Sequence, residues 1–456
     1  MHTAALLATL PVMVAVRCVD VAIIGGGPCG LATALALKKA SAALNVEVFE
    51  RDTLQPKGAS IQISKAGWKA LENIDSTTAS RIRKTGTPVT GLVVRKFSGA
   101  NLLPVAVRLF AAAVSVLFRL LCRLGVSVGF SRAHCWHDVR MVLYERVNEV
   151  CGSVVSIGHE LMSMEEEGEA LALRFRRTAD DDLMEVRARI VLACDGIRSS
   201  VRTLSPLEPL DLLLDEHRSV WRGLSPSLDA KGTATFYRSD DGTSSGLVFP
   251  AGIQQGTSWT VISPVLDGRA TSETDARSRL LSTLPPDCDA LLRRAIDACP
   301  TVLEHKLATR DYSKAWGASV SRVAFLGDAA HPLRPTGEGT ALAFEDAYTI
   351  GQIAKAQAAS VMSITGETGE VGETGARDVT DAKSTGASLL TPAALRRYET
   401  ARATRVREVS WAVKRAADQF YTRGEKGSAD RGNGLGMGGG IAAAMAAHPM
   451  EYINPL

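Results

Sequence analysis

The run Val19-Asp20-Val21-Ala22-Ile23-Ile24, breaking into Gly25-Gly26-Gly27-Pro28-Cys29-Gly30, constrains this chain more than any other stretch. Val21 to Ile24 have the β-branched or small composition of a strand buried on both faces, and Gly30 to Lys39 carry the leucines and alanines of a helix. The glycines fall in the turn between them. There Gly25 permits the tight turn, Gly27 lets a pyrophosphate approach the backbone, and Gly30 lets the helix pack on the strand, while the helix N-terminus meets the anion's charge. A second strand, Val46-Glu47-Val48-Phe49, ends in Glu50 about 20 residues on, where an acid bonding ribose hydroxyls is expected. The unit reads as a dinucleotide-binding βαβ.

With 456 residues, 46% hydrophobic and 22% charged, the chain has globular composition and room for two or three domains. A net charge of +3 gives no argument for nucleic acid. The eight cysteines are scattered without paired spacing, as free thiols of a reducing compartment would be. A cytoplasmic location is therefore expected, with organellar or membrane-attached placement as alternatives. His134-Cys135-Trp136-His137 lacks a second Cys/His pair at zinc spacing, so it reads as polar residues at an element boundary and no metal is expected. Residues 4–16 are apolar but follow no Lys or Arg and are too short to span a bilayer, which favours an N-terminal extension over a targeting segment.

After Glu50 come Arg51 and a loop containing Gly58, suitably placed to cover a bound nucleotide, then a helix through Trp68, Leu71 and Ile74. A strand pattern over 91–97 opens a second layer. Residues 105–124 are apolar almost throughout, and a helical wheel gathers Arg108, Ser115 and Arg119 on one narrow face. This segment reads as a helix on a membrane surface, as a guard at an apolar substrate entrance, or as a core helix with snorkelling arginines. Arg140 opens a further helix, and three alternating runs over 154–162, 171–176 and 184–187 form an antiparallel meander. The meander feeds the apolar strand Ile190 to Cys194, which runs into Asp195-Gly196-Ile197-Arg198-Ser199-Ser200-Val201-Arg202. Strands near 219–224, 234–237, 246–250 and 259–265, then helices over 273–298, make a separate α+β layer. Val323 to Leu326 return as a buried strand ending in Gly327-Asp328-Ala329-Ala330-His331-Pro332, and Gly337-Glu338-Gly339-Thr340 leads into a helix over 341–354. Residues 359–390, with their Thr-Gly-Glu repeats, read as a flexible loop, and the tail beyond 424 is glycine-rich.

Three stretches in this order (the Gly25 turn with Glu50, Cys194 to Arg202, and Gly327 to Pro332) resemble the group A FAD-dependent monooxygenases, which include p-hydroxybenzoate, salicylate and urate hydroxylases and zeaxanthin epoxidase. The likeness runs from Val19 to Val413 and includes Leu395-x-x-Tyr398-Glu399-x-x-Arg402. It implies an α/β fold: a doubly wound, Rossmann-type FAD-binding domain interrupted by an α+β substrate domain with a mainly antiparallel sheet. The expected division is a FAD-binding domain over 17–100, 131–203 and 321–423, a hydrophobic insertion over 101–130, a substrate domain over 204–320, and a tail over 424–456.

The resemblance implies FAD as cofactor, NAD(P)H and O2 as co-substrates, and hydroxylation or epoxidation of an apolar, aromatic or isoprenoid small molecule through a flavin C4a-hydroperoxide. It assigns Glu50 to the adenosine ribose, Arg140 to the phosphates or ribityl chain, and Asp195 and Arg202 to the stretch serving FAD and the nicotinamide. Asp328 falls to the ribityl side, and Gly337, Gly339 and Thr340 to the pyrimidine edge. Arg222 and Tyr237 are the catalytic candidates, and His331 reads as a turn residue. Departures from the family pattern are a shorter loop after Pro335, Glu338 in place of a common Gln and Ala341 in place of a common Asn. A halogenase or prenyl reductase on the same scaffold, or a non-catalytic flavin-binding, membrane-associated protein, are the alternatives. Trp259-Thr-Val-Ile-Ser-Pro264 resembles the halogenase tryptophan motif but lacks its second tryptophan.

Overall fold

The computed structural model of this chain describes residues 17–56, 58–123, 131–205, 214–265, 273–312, 316, 322–335, 337–366 and 389–421. The first elements in chain order are β1 (Arg17–Ile24), α1 (Pro28–Ala40), β2 (Val46–Glu50), β3 (Ser60–Gln62), α2 (Lys65–Ile74), α3 (Ser76–Thr85), β4 (Thr87–Val89), β5 (Gly91–Lys96) and α4 (Val105–Arg123). Next come β6 (Ser131–Cys135), α5 (Trp136–Cys151), β7 (Val155–Ile157), β8 (His159–Glu167), β9 (Ala170–Arg177), β10 (Leu183–Ala193) and α6 (Ser200–Leu204). The remainder are β11 (Leu214–Ser225), β12 (Thr233–Arg238), β13 (Ser245–Pro250), β14 (Thr257–Pro264), α7 (Glu273–Thr283), α8 (Ala290–Asp297), β15 (Leu303–Thr309), β16 (Val323–Phe325), α9 (Gly339–Gly366) and α10 (Pro392–Tyr421).

The first sheet has the order β7-β2-β1-β10-β9-β8, with β16 added to β10. Strands β7, β2, β1, β10 and β16 are parallel, and β8 and β9 run antiparallel to β10. The meander's last run and the apolar strand after it are one strand. Residues Leu183 to Ala188 of β10 pair with β9, and Val191 to Ala193 pair with β16, so one face-alternating half and one fully buried half follow each other. Val21, Ile23, Val48, Ile190 and Leu192 are buried there, as strands covered on both faces require. Helices α1, α5 and α9 form one layer, in which α1 touches both other helices and packs on β1 and β2.

The second sheet, β15-β11-β14-β13-β12-β5, is antiparallel except where β5 pairs parallel with β12. The 91–97 strand therefore belongs by pairing to the second sheet, and a boundary at residue 100 leaves it on the wrong side. Alternation along the strands divides their side chains between two faces. Trp221, Tyr237, Val248 and Trp259 pack beneath α7 and α8 with Leu280, Leu292 and Ile296. Arg222, Phe236, Leu247 and Thr260 face the other way, toward the first sheet's glycine turn.

Two boundaries differ from expectation. Helix α5 begins at Trp136 and so carries Arg140 inside its second turn. Helix α9 continues to Gly366, eating into the loop expected from 359, because Ala358, Ala359 and Met362 are strong helix formers. Helix α4 is not a core helix: its apolar side faces outward. The expected N-terminal extension over 4–16, the tail beyond 424 and the Thr-Gly-Glu repeats from Glu367 onward lie outside the described residues.

Candidate functional site

The glycine turn is built as its spacing requires. Gly25 sits at φ +107°, and a Cβ there would lie 2.4 Å from the carbonyl oxygen of Cys194 at the end of β10. A Cβ on Gly30 would lie 2.0 Å from the Gly25 carbonyl. Gly27, the residue before α1, is different: its Cβ would meet only Trp136, at 3.8 Å. Two of the glycines are therefore demanded by the protein's own packing, and the third leaves open space.

Glu50, at the end of β2, is turned into this loop. Its Oε2 accepts from the Gly26 N–H at 2.7 Å, and its Oε1 from the Asp52 N–H at 2.8 Å. Arg140 closes the arrangement from behind: its Nε donates to the Gly26 carbonyl at 2.8 Å, and its Nη2 forms an ion pair with Glu50 at 3.0 Å without hydrogen-bond alignment. Arg140 is fully buried and sits beneath the loop. The Trp136 ring covers its guanidinium, 5.6 Å away, and Gly58 (φ +92°) packs against the same ring. Arg51 points to the surface, 62% exposed, beside Asp52 and Glu160.

A cavity of about 450 Å³ opens above the turn, between the two sheets. Gly27, Arg222, Asp328, Gly337, Gly339 and Thr340 line it, and these are the expected residues that the fold brings together. Two helix N-termini, those of α1 and α9, open onto it. Such termini favour anionic or electron-rich groups. Asp328 is solvent-accessible yet enclosed, because its side chain faces the void while protein surrounds the void. That enclosure raises its carboxyl above the usual range, opposed by His331 and Arg222. Arg222 is held below its usual value by burial, with Asp328 acting against it, and its Nε is buried with no hydrogen-bond partner among the described residues. Phe236, Leu247, Phe249 and Ile262 supply an apolar wall around this cation.

The turn carrying Asp328 is locked by residues that sequence reasoning left without a role. Asp346 on α9 accepts from the Gly327 N–H at 2.8 Å, from His331 Nε2 at 2.6 Å and from Arg402 Nε at 2.7 Å. Arg402 also reaches Glu345 at 2.8 Å, and Tyr398 donates to the Phe325 carbonyl at 3.1 Å. The available signal was the pair Glu345-Asp346 inside an otherwise apolar helix, since buried carboxylates demand partners. Arg202 contributes from the other side. It donates to the Ala329 carbonyl at 2.9 Å and stacks 4.0 Å over Phe325. Asp195 accepts from Ser200 and Val201 at 3.1 Å and so shapes the start of α6 beside Gly25. Trp136 and Gln62, also on the cavity wall, had no sequence signal.

Tyr237 is not in this site. Its neighbour Phe236 faces the cavity, so the strand's two-residue period sends Tyr237 into the core under α8. Its hydroxyl donates to Asp289 at 2.9 Å, and Arg95 holds the same carboxylate at 2.7 Å. Burial first, then Asp289, pushes the phenol well above its usual range. The Tyr237→Phe variant is expected to lose about 1.5–3 kcal/mol in urea denaturation, the worth of a hydrogen bond to a charged group, and to keep its cofactor and turnover. A selective loss of turnover would restore Tyr237 to the chemistry. Trp259 is buried on that same far face, away from the cavity.

The cavity fits a flavin dinucleotide by its own features. A Cβ at Gly196 would meet nothing within 4 Å and one at Gly337 would meet only Gln62 at 3.8 Å, so these glycines, like Gly27, leave room for a ligand's backbone approach. The chain is similar in structure to HpxO of Klebsiella pneumoniae complexed with FAD and uric acid, at 18% identity and TM-score 0.61 over 95% of each chain. It is similar also to the tetracycline destructase Tet(55), at 12% identity and TM-score 0.64 over 94% of this chain and 98% of that one. CtdE in complex with FAD and a substrate gives 14% identity and TM-score 0.64 over 94% and 99%. A search of curated proteins found no match. The FAD binding domain family model matches residues 18–359, most of the chain, and these observations together mean that the chain belongs to the FAD binding domain family, with the fold of the group A flavin monooxygenases.

Proposed function

We propose that this flavoprotein is an NAD(P)H-dependent monooxygenase whose substrate is a flat, largely apolar small molecule carrying an anionic or enolic oxygen. The observation that carries the reading is Arg222. It stands on the second sheet's apolar face with an unpartnered, buried Nε, in the same cavity as Asp328 and the N-termini of α1 and α9. A guanidinium among Phe236, Leu247 and Phe249 binds a substrate oxygen strongly, because little water competes there.

When bound, FAD supplies the electron transfer and oxygen activation. The chain's residues supply the rest. Gly27 and the start of α1 receive the pyrophosphate, Asp328 receives hydroxyls of the chain linking ring and phosphates, and Gly337 to Thr340 present backbone N–H groups to the ring edge. Arg222 holds the substrate's oxygen and orients its ring, and the apolar wall excludes water from the reacting centre. The uric acid held by the HpxO structure shares the planarity and the enolic oxygen of this class but not its apolar body.

The test is anaerobic. FAD-loaded protein is mixed with NADPH or NADH and a panel of phenolic, quinoid and isoprenoid compounds while the flavin absorbance is followed. One compound class is expected to accelerate bleaching, and admission of oxygen to yield its hydroxylated or epoxidised product. Arg222→Gln is expected to raise KM for the anionic members about ten- to a hundredfold, the worth of one charge-assisted hydrogen bond, with flavin content unchanged. A flavin that neither nicotinamide bleaches would overturn the proposed electron donor. An unchanged KM in the variant would remove Arg222 from substrate binding.

A further inference from the structure

Helix α4 turns its apolar side to water. Phe110 is 72% exposed, Leu109 67%, Val116 63%, Leu120 53% and Leu117 51%. Of its polar stripe, Ser115 and the Nε of Arg108 face the protein, while Arg119 stays exposed. Ser115 is buried, and its hydroxyl would meet a Cβ on Gly91 of β5 at 3.4 Å. Arg119 Nε donates to the Ser115 carbonyl at 3.2 Å, and the Nε of Arg108 is buried. A helix covering a sheet edge in water has the opposite orientation, apolar side inward. Over Val105–Cys122 the mean hydropathy is 2.1, and only 6% of that window is buried. An exposed stripe of this kind marks an interaction surface.

The charge around the helix identifies its occupant. The whole chain carries 52 basic and 49 acidic residues, yet α4 and its flanks over 97–137 carry Arg108, Arg119, Arg123 and Arg132 and not one carboxylate. The basic residues just before them, Arg81, Arg83, Arg95 and Lys96, are instead ion-paired with Glu149, Glu72, Asp289 and Asp240. A second copy seated symmetrically on α4 would bring this cationic segment against itself, which disfavours a self-association face. An anionic lipid surface has the complementary sign. The orientation also separates lying on a membrane from crossing it. A spanning helix would be surrounded by hydrocarbon and would place Arg108 and Arg119 in it, whereas here Ser115 packs against β5 and Arg119 is exposed, free to reach lipid headgroups.

We infer that α4 is an interfacial helix that seats the protein on anionic phospholipid bilayers, with Leu109, Phe110, Val116, Leu117 and Leu120 in the headgroup boundary. The test is flotation of the full-length, FAD-loaded protein with vesicles of phosphatidylcholine, with and without phosphatidylserine. The wild type is expected to float with the anionic vesicles, less so as salt is raised, and to remain at the bottom with the neutral ones. Phe110→Glu/Leu117→Glu, which touches only exposed positions, is expected to reduce the floating fraction at least tenfold. Its flavin absorbance and sedimentation coefficient should be those of the wild type. A wild type that floats with neither vesicle, or a double variant that floats equally well, overturns the inference. Equal flotation with neutral and anionic vesicles overturns the electrostatic part. A lipid-free dimer that the double variant converts to monomer assigns the face to a second copy and overturns it as well. None of these readouts depends on turnover, so the reaction proposed above stands or falls separately.

Discussion

Asp346→Ala is expected to destabilise the protein by about 3–5 kcal/mol, the cost of leaving buried charges without their partner. Asp346 is 0% exposed and is shared by three donors: the Gly327 N–H, His331 Nε2 and Arg402 Nε. Burial alone would raise its carboxyl, but the facing His331 and Arg402 hold it below the usual range. A carboxylate lowered on folding stabilises fully above its unfolded pKa of about 4, and that share is lost as pH falls through the folded value. The variant's deficit should therefore be largest at neutral pH and shrink in acid. The functional consequence follows from geometry, because Gly327 and His331 bracket Asp328, the residue facing the cavity. Flavin should be lost from the variant at lower urea than the global transition. Urea denaturation followed by circular dichroism, with flavin absorbance recorded in parallel, measures both. A wild-type midpoint would show that Glu345, already 2.8 Å from Arg402, suffices as its partner.

That lock was only partly legible in the sequence, for a physical reason. The glycine turn, Glu50 and the Asp328 turn announce themselves because each lies at the end of a buried apolar strand, where local pattern and local chemistry coincide. Gly27, Asp328 and Gly337 to Thr340 accordingly meet in one cavity as expected. Asp346, Arg402 and Tyr398 act across separations of 15 to 73 residues, and no local pattern encodes such partners. Arg140 stands out in the sequence as a site residue, but its burial beneath the glycine loop does not. Its contacts with Gly26 and Glu50 belong to tertiary packing, which its position in α5 does not reveal. The second sheet shows the same limit. Its strands were legible from their alternation, but which face looks into the cavity depends on the docking of α7 and α8. For that reason the alternation alone does not say that Arg222 lines the cavity while Tyr237 lies in the core. The strand β15 (Leu303–Thr309), with Glu304, His305 and Lys306 in its middle, lacks an apolar run and was missed.

The glycine turn allows folding and binding to be separated experimentally, and here the second large effect is expected. Gly25→Ala places a methyl 2.4 Å from the Cys194 carbonyl oxygen and 2.9 Å from the Asp195 Cα, at a φ of +107°. All of these neighbours are backbone, so the ends of β1 and β10 must part where the Cys194 N–H donates to the Ile24 carbonyl at 2.7 Å. Strain at positive φ and overpacking together put the loss at about 2–5 kcal/mol, present whether or not FAD is bound. Gly27→Ala differs in kind. At φ −78° and ψ 179° any residue is comfortable, and the new methyl meets only Trp136 at 3.8 Å. Its flavin-free form should match the wild type within about 0.5 kcal/mol. The methyl instead occupies the space through which the pyrophosphate approaches the backbone, so FAD affinity should fall about ten- to a hundredfold. Thermal or urea unfolding of the flavin-free proteins, paired with FAD titration by fluorescence quenching, distinguishes the two. Wild-type affinity in Gly27→Ala would mean that the dinucleotide does not cross the start of α1, and wild-type stability in Gly25→Ala would mean that the β1–β10 junction yields more readily than its backbone contacts allow.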